Sequence, residues 1–243
     1  MTVLKYGQIV YGKLNKRINR FIAEVYIDGV IEQVHIKNTG RLKELLLSNA
    51  HVVLEVSDNP TRKTRYSLIA VAKDSNWVNI DSQAPNAVAF EAMKAGKLQE
   101  FGAVQLVKKE VTYGKSRFDL YFEKLSEKLS DNGCKGIDKG FIEVKGVTLN
   151  QDGIAMFPDA PTSRGTKHVL ELIEAVNAGY TCAILFLVQI QGCHTFSPNR
   201  TMDAKFADAV LEASRQGVQI LAYDSIVKEN ELLIGEQLPV CLS

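Results

Sequence analysis

Three charged side chains lie in apolar stretches where an unpaired charge would be costly. The stretch "GFIEVKGVTL" (140–149) has the composition of a buried strand, yet it contains Glu143 and Lys145. Residues two apart in a strand point to the same face, so this carboxylate and this ammonium project side by side. Asp119 lies in a second apolar stretch, "RFDLYFEKL" (117–125). Because a buried charge needs a partner, these three residues are candidates for chemistry.

The two carboxylates suggest a metal site. If the two strands are neighbours, Asp119 and Glu143 can share a divalent cation, and the Val144 carbonyl could add a further oxygen. Mg²⁺ or Mn²⁺ suits such oxygen ligands. Lys145 would then lie beside an activated water and the charge that develops on a phosphate, which is the equipment of metal-assisted phosphodiester hydrolysis. The pattern alone also permits a structural ion pair or an exposed edge strand.

The composition excludes several classes of protein. The chain has 243 residues, of which 46% are hydrophobic, and a net charge of +1. No apolar run approaches the roughly 20 residues of a membrane helix, and the first residues lack a secretion signal. These features predict a cytoplasmic protein. The cysteines form no C-x-x-C pair, and adjacent Cys193 and His194 are a poor metal site, so we expect no structural zinc.

Residues 1–83 have the pattern of a small β-barrel. Stretches rich in β-branched and aromatic residues predict strands at 7–13, 21–27, 51–56 and 66–72, and the alternation of apolar and polar residues predicts another at 30–36. The spacing of "TGRLKELLL" predicts a short helix at 39–47, with Thr39 as its N-cap. Three strands, a helix and two strands fit a five-stranded OB barrel. The polar, proline-containing "DSQAPN" (81–86) predicts a linker to a second domain at 84–243.

The predicted barrel is basic, whereas the rest of the chain is acidic. Residues 1–83 carry 12 Lys/Arg and 8 Asp/Glu, a net charge of +4, and residues 84–243 carry a net charge of −3. Half of the barrel's cations lie in the two loops that OB barrels use to bind oligonucleotides. They are Lys16, Arg17 and Arg20 in one loop, and Arg62, Lys63 and Arg65 in the other. Such loops can follow a phosphate backbone without reading sequence, although surface loops are often basic without a ligand.

Three aromatic residues of the barrel have two interpretations. Tyr11, Phe21 and Tyr26 can provide surfaces on which bases stack, or they can belong to the barrel core.

Residues 84–243 alternate predicted helices and strands. Helices are predicted at about 86–97, 166–179 and 201–216, and strands at 103–111, 117–125, 140–149, 180–190 and 218–223. The run "YTCAILFLVQI" (180–190) is continuously apolar, which is typical of a strand covered on both faces. The order indicates an α/β layered domain around a mixed sheet.

Longer phrases of the sequence are similar to the sugar fermentation stimulation protein family. They include "NTGRLKELL", "TRKTRYSLIAV", "TYGKSRFDLYFE", "FIEVKGVTL", "AMFPDAPTSRGTKHVLELIEAVNAG", "GVQILAY" and "LPVCL", and they extend from about Tyr6 to the C-terminus. The Asp…Glu-x-Lys arrangement resembles the core of PD-(D/E)xK nucleases. The resemblance implies an α+β protein of two domains, an N-terminal five-stranded OB-type barrel and a C-terminal PD-(D/E)xK nuclease-like mixed sheet with flanking helices.

The resemblance also implies roles for individual residues. Asp119 and Glu143 would bind the metal, Lys145 would serve catalysis, and Glu91 matches a position where such nucleases often place an extra acid. Motif positions near the expected site are Arg117, Arg164, Lys167, His168 and, at the end of an apolar strand, Gln189. Both Lys167 and His168 fit equally well as solvent-facing residues at a helix start. Lys37 departs from the family, which often has proline before Asn-Thr-Gly.

The family is described as DNA-binding, with a regulatory effect on maltose and related sugar metabolism. The resemblance therefore implies a Mg²⁺-dependent nuclease that acts on nucleic acid, DNA in particular, without strong sequence specificity. The alternative is a non-catalytic DNA-binding regulator of sugar metabolism genes that retains the nuclease-like fold. A third interpretation is a module that binds small molecules or proteins and whose loops are basic by chance. The sequence leaves the oligomeric state open.

Overall fold

The computed structural model describes residues 3–38, 40–74, 76–129 and 135–242. The strands of the N-terminal part are β1 (Val3–Lys5), β2 (Ile9–Arg17), β3 (Ile22–Ile27), β4 (Val30–Ile36), β5 (His51–Val56), β6 (Tyr66–Lys73) and β7 (Asn76–Asn79). Then follow α1 (Ala84–Lys94), a short 3₁₀ turn (Gln99–Phe101), β8 (Val104–Tyr113), β9 (Ser116–Leu129), β10 (Lys135–Val147), β11 (Leu149–Gln151), β12 (Ile154–Phe157), α2 (Ser163–Asn177), β13 (Thr181–Val188), β14 (Thr195–Pro198), α3 (Ala204–Arg215), β15 (Gln219–Val227) and β16 (Glu231–Gln237). No helix within these ranges is long and apolar enough to cross a membrane.

Strands β2 to β6 form a closed barrel. Their order is β4-β3-β2-β5-β6, and β4 also pairs with β6 in parallel, which closes the five strands. Inward-facing side chains such as Leu14, Val25 and Leu68 are fully buried, as the alternation of apolar and polar residues predicts. The prediction of a five-stranded OB-type barrel is therefore confirmed.

The helix predicted at 39–47 is wrong. Residues 43–45 form a turn, and Leu42 adopts a left-handed backbone conformation with φ of 46°. Leu42 and Leu45 are nevertheless buried in the barrel core, so the leucine spacing that suggested a helix is satisfied by a turn. The carbonyls of Gly40 and Arg41, which a helix would use internally, instead accept hydrogen bonds from Arg17. Thr39, the predicted N-cap, lies outside the described residues.

The segment predicted as a linker is packed against the rest of the molecule. Asp81 is buried, and α1 begins at Ala84 with a proline in its first turn. Val78 of β7 forms a bridge with Ile190, and the Asn79 amide donates to the Gln189 carbonyl at 3.0 Å. The barrel therefore contacts the second part of the chain directly.

The second part is built on a seven-stranded mixed sheet in the order β1-β16-β15-β13-β10-β9-β8. Strands β10, β13 and β15 are parallel, and the other pairings are antiparallel. Residues of α1 pack with one face of the sheet, and residues of α2 and α3 pack with the other. Strand β13 is buried almost throughout, as its continuous apolar run predicts. The prediction of a mixed sheet with flanking helices is confirmed.

Close packing around Gly140 in the main sheet gives a testable prediction. A Cβ atom at this position would overlap the Thr181 carbonyl and the Phe122 ring, whereas one at Gly136 of the same strand would meet only Ser126 Cβ at 3.9 Å. We expect Gly140→Ala to destabilise the chain by about 2 kcal/mol because a backbone carbonyl cannot move aside, a fall in Tm of about 4–8 °C. Thermal unfolding followed by circular dichroism measures this, with Gly136→Ala as the control. Equal Tm values for the two variants would contradict the described packing.

Candidate active site

Strands β9 and β10 separate at the candidate site. Their last directly paired residues there are Leu120 and Ile142, so Asp119 and Glu143 come next in register and face each other. In place of the ladder, Asp119 Oδ2 accepts a hydrogen bond from the Val144 amide at 2.8 Å. The prediction that the two strands are neighbours is thus confirmed. Strand β10 lies between β9 and β13, so it is a central strand and not an exposed edge.

Glu143 is a buried carboxylate with one engaged oxygen and one free oxygen. Its Oε1 contacts Lys145 Nζ and His168 Nδ1. Its Oε2 is buried and has no hydrogen-bond partner among the described residues. Burial alone would raise the pKa of Glu143, but the hydrogen bond with His168 and the positive charge of Lys145 outweigh it and hold this pKa below its ordinary value. The carboxylate is therefore ionised at neutral pH.

Asp119 has the opposite electrostatic balance. Burial and, next, the negative charge of Glu143 raise its pKa, although Lys145, the Val144 amide and Asn86 oppose this rise. Asn86, in the first turn of α1, donates from Nδ2 to Asp119 Oδ1 at 2.7 Å. Like charges that face each other across two strands destabilise a sheet, and Lys145 and His168 offset this repulsion only through Oε1 of Glu143.

The donor set fits a divalent cation. Glu143 Oε2 is an orphaned buried oxygen, and Asp119 provides a second carboxylate opposite it. Within the described ranges, no three His, Cys, Asp or Glu residues form a complete metal-binding cluster. Few protein ligands suit Mg²⁺, which usually keeps several waters and binds through one or two carboxylates. Val144, whose carbonyl the sequence suggested as a ligand, contacts Asp119 through its amide.

The carboxylates lie in a cavity of about 330 Å³, here called the catalytic cavity. It is lined by residues of β9, β10, the start of α1 and the start of α2, including Ser82, Asn86, Arg117, Asp119, Glu143, Lys145, Phe157, Thr162, Arg164 and His168. Thr162 is the N-cap of α2, and its Oγ1 accepts from the Gly165 amide at 3.1 Å. With this cap, α2 begins three residues earlier than predicted, and His168 on its first turns contacts Glu143.

The rim of the catalytic cavity is basic. Arg117 and Arg164 line the catalytic cavity and, with Lys115 and Lys167, an adjoining surface depression. Arg117 lies 3.6 Å from Glu110, and Lys167 lies 3.7 Å from Glu171, both in exposed pairs. Lys167 is thus a solvent-facing residue at the start of α2. His168 is buried, so the solvent-facing interpretation is wrong for this residue.

Two residues suggested by the resemblance lie elsewhere. Glu91 is half-buried in the second half of α1 and does not line the catalytic cavity, and Asn86 is the α1 residue that contacts Asp119. Gln189 donates from Nε2 to Asn79 Oδ1 at 2.8 Å and to the Asp81 carbonyl at 3.1 Å. Gln189 therefore contacts the barrel side of the molecule. Asn86 was not predicted as a site residue, although a polar residue in the apolar stretch "APNAVAFEA" is a signal for a contact.

The cations of the barrel loops differ in what they contact. Arg17 donates to the carbonyls of Asn19, Arg20, Gly40 and Arg41, and burial, followed by the charge of Arg20, lowers its pKa. Because its donors are engaged by the backbone, Arg17 joins the turn at 19–20 to residues 40–41. These contacts indicate a structural role, and its assignment as a nucleic-acid-binding residue stays a prediction.

The other loop cations remain accessible to a ligand to different degrees. Lys16 lies 3.3 Å from Glu24, and the Arg65 guanidinium stacks over the Tyr66 ring at 5.3 Å. Arg20 and Lys63 are exposed, and Arg62 is half-buried. The aromatic residues Tyr11, Phe21 and Tyr26 are exposed and do not belong to the core.

The fold is that of a class of protein in which an OB-type barrel precedes a PD-(D/E)xK nuclease-like domain. The family model "Sugar fermentation stimulation protein RE domain" matches residues 83–231, and "SfsA N-terminal OB domain" matches residues 16–80. The chain belongs to the sugar fermentation stimulation protein family.

Known relatives cover almost the whole chain. A "Sugar fermentation stimulation protein homolog" of Alkaliphilus oremlandii is 52% identical over 238 residues, which is 98% of both chains. A homolog of the same name from Ruminiclostridium cellulolyticum is 46% identical over 98% of this chain and 100% of its own. The solved structure described as Pyrococcus furiosus SfsA in complex with Ca²⁺ is 26% identical, with a TM-score of 0.85 over 99% of both chains.

The opposite pKa directions predict opposite effects of neutralising the two acids. The pKa of Asp119 is raised in the folded state, so its ionisation reduces stability once the pH rises above its unfolded pKa. The pKa of Glu143 is lowered in the folded state, so its ionised form contributes stability above the unfolded pKa of Glu143. Without metal at pH 7.5, we expect Asp119→Asn to raise Tm by about 2–4 °C, or about 1 kcal/mol, and Glu143→Gln to lower it. The Asp119→Asn gain should disappear as the pH falls to about 4, the ordinary pKa of an aspartate, whereas the Glu143→Gln loss should shrink only below about pH 4, because the folded pKa of Glu143 is lowered. Thermal scans from pH 3.5 to 8 measure this, and a loss of Tm in both variants at neutral pH would contradict it.

The carbonyl contacts of Arg17 predict a structural role. We expect Arg17→Ala to destabilise the barrel by about 2 kcal/mol, because it leaves carbonyls of two loops without donors, and Arg20→Ala to change stability by less than about 0.5 kcal/mol. Urea unfolding of the two variants measures the difference. Equal stability of Arg17→Ala and the parent chain would contradict the structural role and favour Arg17 as a cation that is free to bind phosphate.

Proposed function

We propose that the chain is a divalent-metal-dependent nuclease that hydrolyses phosphodiester bonds in nucleic acid, and DNA without strong sequence specificity in particular. The observation that carries this proposal is the free, buried Oε2 of Glu143 opposite Asp119, in a cavity that also contains Lys145. A carboxylate pair at a site of strand separation has no evident structural benefit, since like charges there weaken the sheet.

Asp119 and Glu143 would hold the metal, which supplies an activated water and polarises a phosphoryl oxygen when bound. Lys145 Nζ contacts Glu143 and lines the same cavity, so it is held where it can donate to a phosphate oxygen as negative charge develops in the transition state. His168 contacts Glu143 on the α2 side. It fixes the orientation of that carboxylate and leaves Oε2 available.

The cations around the catalytic cavity suit the phosphates that flank the cleaved bond. Arg117 and Arg164 lie on its rim, and guanidinium groups bind phosphate oxygens in a bidentate way. In this proposal the barrel, residues 1–83, contributes further contacts through Arg20, Arg62, Lys63 and Arg65, and residues 84–243 carry the chemistry. Such contacts are made to the backbone and carry no sequence information.

A known relative supports the metal. The related Pyrococcus furiosus structure is described as a complex with Ca²⁺, and Ca²⁺ and Mg²⁺ both prefer carboxylate oxygens. We extend this preference to the carboxylate pair of this chain, with Mg²⁺ or Mn²⁺ as the ion that supports cleavage.

The second candidate function is a DNA-binding regulator of sugar metabolism genes that does not cut. The exposed cations of the barrel and the cavity rim favour it as much as they favour a nuclease. The regulator differs from the nuclease in one predicted result: it binds DNA but shows no cleavage that depends on Lys145.

Substitution of Lys145 tests for catalysis. With Mg²⁺ or Mn²⁺, we expect cleavage of end-labelled DNA by the purified chain to fall at least about a hundredfold in Lys145→Ala, a loss of about 2.7 kcal/mol of transition-state stabilisation. Lys139→Ala, an exposed lysine of the same strand, is the matched control and should cut normally. Gel assays over DNA and RNA substrates measure this. Cleavage that survives Lys145→Ala, or no cleavage of any substrate, would contradict the proposed enzyme.

Salt dependence tests the role of the rim. We expect Arg117→Ala and Arg164→Ala each to weaken DNA binding and to reduce the slope of log Kd against log salt by about 1 for duplex or about 0.7 for single strands. Arg215→Ala removes an exposed cation at the end of α3 and should leave the slope unchanged. Fluorescence anisotropy between 50 and 300 mM NaCl measures the slopes. Identical slopes in the parent chain and all three variants would contradict DNA binding at the cavity rim.

A further inference from the structure

A second cavity adjoins the catalytic cavity on its barrel side. This barrel-side cavity has a volume of about 200 Å³, and it shares Ser82 and Phe157 with the catalytic cavity. Its described lining includes Asn38, Gly40 and Leu42 of the barrel, Gly146 at the end of β10, and Asp159 and Gln189 in the loops after β12 and β13. Lys145 and Gly146 are consecutive residues of β10, so the two cavities meet along this strand.

The lining of the barrel-side cavity contains hydrogen-bond acceptors. Gln189 donates both of its described hydrogen bonds from Nε2, and its Oε1 lies next to Gly146 in the lining of the cavity. Asp159 is half-buried and, within the described ranges, forms no hydrogen bond or ion pair. The oxygens of Gln189 and Asp159 in this lining can accept hydrogen bonds from a ligand that enters the cavity.

Close packing holds these acceptors in place. A Cβ atom at Gly146 would overlap Gln189 Oε1, and a Cβ atom at Gly40 would lie 3.1 Å from Asp159 Oδ2. Gly40 is itself held by Arg17, which binds its carbonyl at 3.0 Å. The barrel loop therefore forms one wall of the cavity, and β10 and Gln189 form the other.

The charges of the two cavities differ. The catalytic cavity combines the cations Arg117, Lys145 and Arg164 with the carboxylates Glu110, Asp119 and Glu143, whereas the described lining of the barrel-side cavity includes no Lys or Arg and one carboxylate, Asp159. A phosphate suits the first cavity and would be repelled by the second. The second instead suits a group that donates hydrogen bonds, and the amino and imino groups on the pairing edge of a base are such donors.

We propose that the barrel-side cavity binds one unpaired base of the substrate, next to the phosphate held in the catalytic cavity, so that the preferred substrate is single-stranded. This inference rests on the proposed nuclease function. The volume is below the roughly 300–1,000 Å³ of sites for drug-sized ligands, and it suits one base and not a base pair. In a duplex the pairing edge is already engaged, and unpairing a base costs a few kcal/mol.

The test measures binding, so it does not depend on cleavage. All proteins carry Lys145→Ala to prevent cutting, and Ca²⁺ is present. Fluorescence anisotropy gives Kd for a single-stranded DNA 12-mer and for the blunt duplex of the same sequence, with Asp159→Asn as the test variant. Asp152→Asn is the matched control, because Asp152 is exposed in the β11–β12 turn and does not line the barrel-side cavity.

The sign of the Asp159→Asn effect decides between two roles of this carboxylate. We expect the single strand to bind at least about tenfold more tightly than the duplex, and Asp159→Asn to weaken single-strand binding about tenfold with little effect on the duplex. If Asp159 merely repels the backbone, Asp159→Asn will tighten binding to both, and the proposed base site is overturned. Equal affinity for single strand and duplex, or no response to Asp159→Asn, also overturns it and leaves the nuclease proposal standing. No binding of either DNA would remove the support of the nuclease proposal itself.

Discussion

Two carboxylates face each other where strands β9 and β10 separate, and the surrounding structure compensates for this arrangement. Asp119 replaces the next backbone contact of the ladder by accepting from the Val144 amide, while Lys145 and His168 both contact Glu143. Helix α1 supplies Asn86 to Asp119, and the Thr162 cap sets the start of α2 so that His168 reaches the site. One oxygen of Glu143 is still left without a partner among the described residues, and this oxygen is where the proposed metal ion would bind.

The barrel is coupled to this site by a buried polar network. Tyr6 donates to Asp81 and accepts from Asn79, and Asn79 in turn accepts from Gln189. Lys37 lies 2.8 Å from Glu55 and 3.2 Å from Asp81. Burial opposes its charge, but these two carboxylates raise the pKa of Lys37 above its ordinary value. Lys37, which stands where the family often has proline, thus contributes an ion pair between barrel strand β5 and the segment before α1.

The sequence was informative where a residue's surroundings are set by its own strand. The period of two in β10 was sufficient to place Glu143 beside Lys145, and the apolar context of Asp119 identified its partner strand. It was less informative where the answer depends on contacts distant in sequence. The leucines of 39–47 have helical spacing, but Arg17 takes the carbonyls that a helix would need. The same contacts explain why a loop arginine that suggested phosphate binding has a structural role. Helix α1 begins at Ala84, before the start predicted at about residue 86. Asn86 and Glu91 lie on different sides of this helix, and it is Asn86 that contacts Asp119.

The most direct test of the metal site is anomalous X-ray diffraction from crystals soaked in Mn²⁺. The account predicts one strong anomalous peak between the carboxylates, within coordination distance of Glu143 Oε2 and of an oxygen of Asp119, with Lys145 still beside the site. A fully soaked crystal with no peak there, and with Glu143 closed onto Lys145 and His168 alone, would contradict it. In that case the charges of β10 would be a structural ion pair.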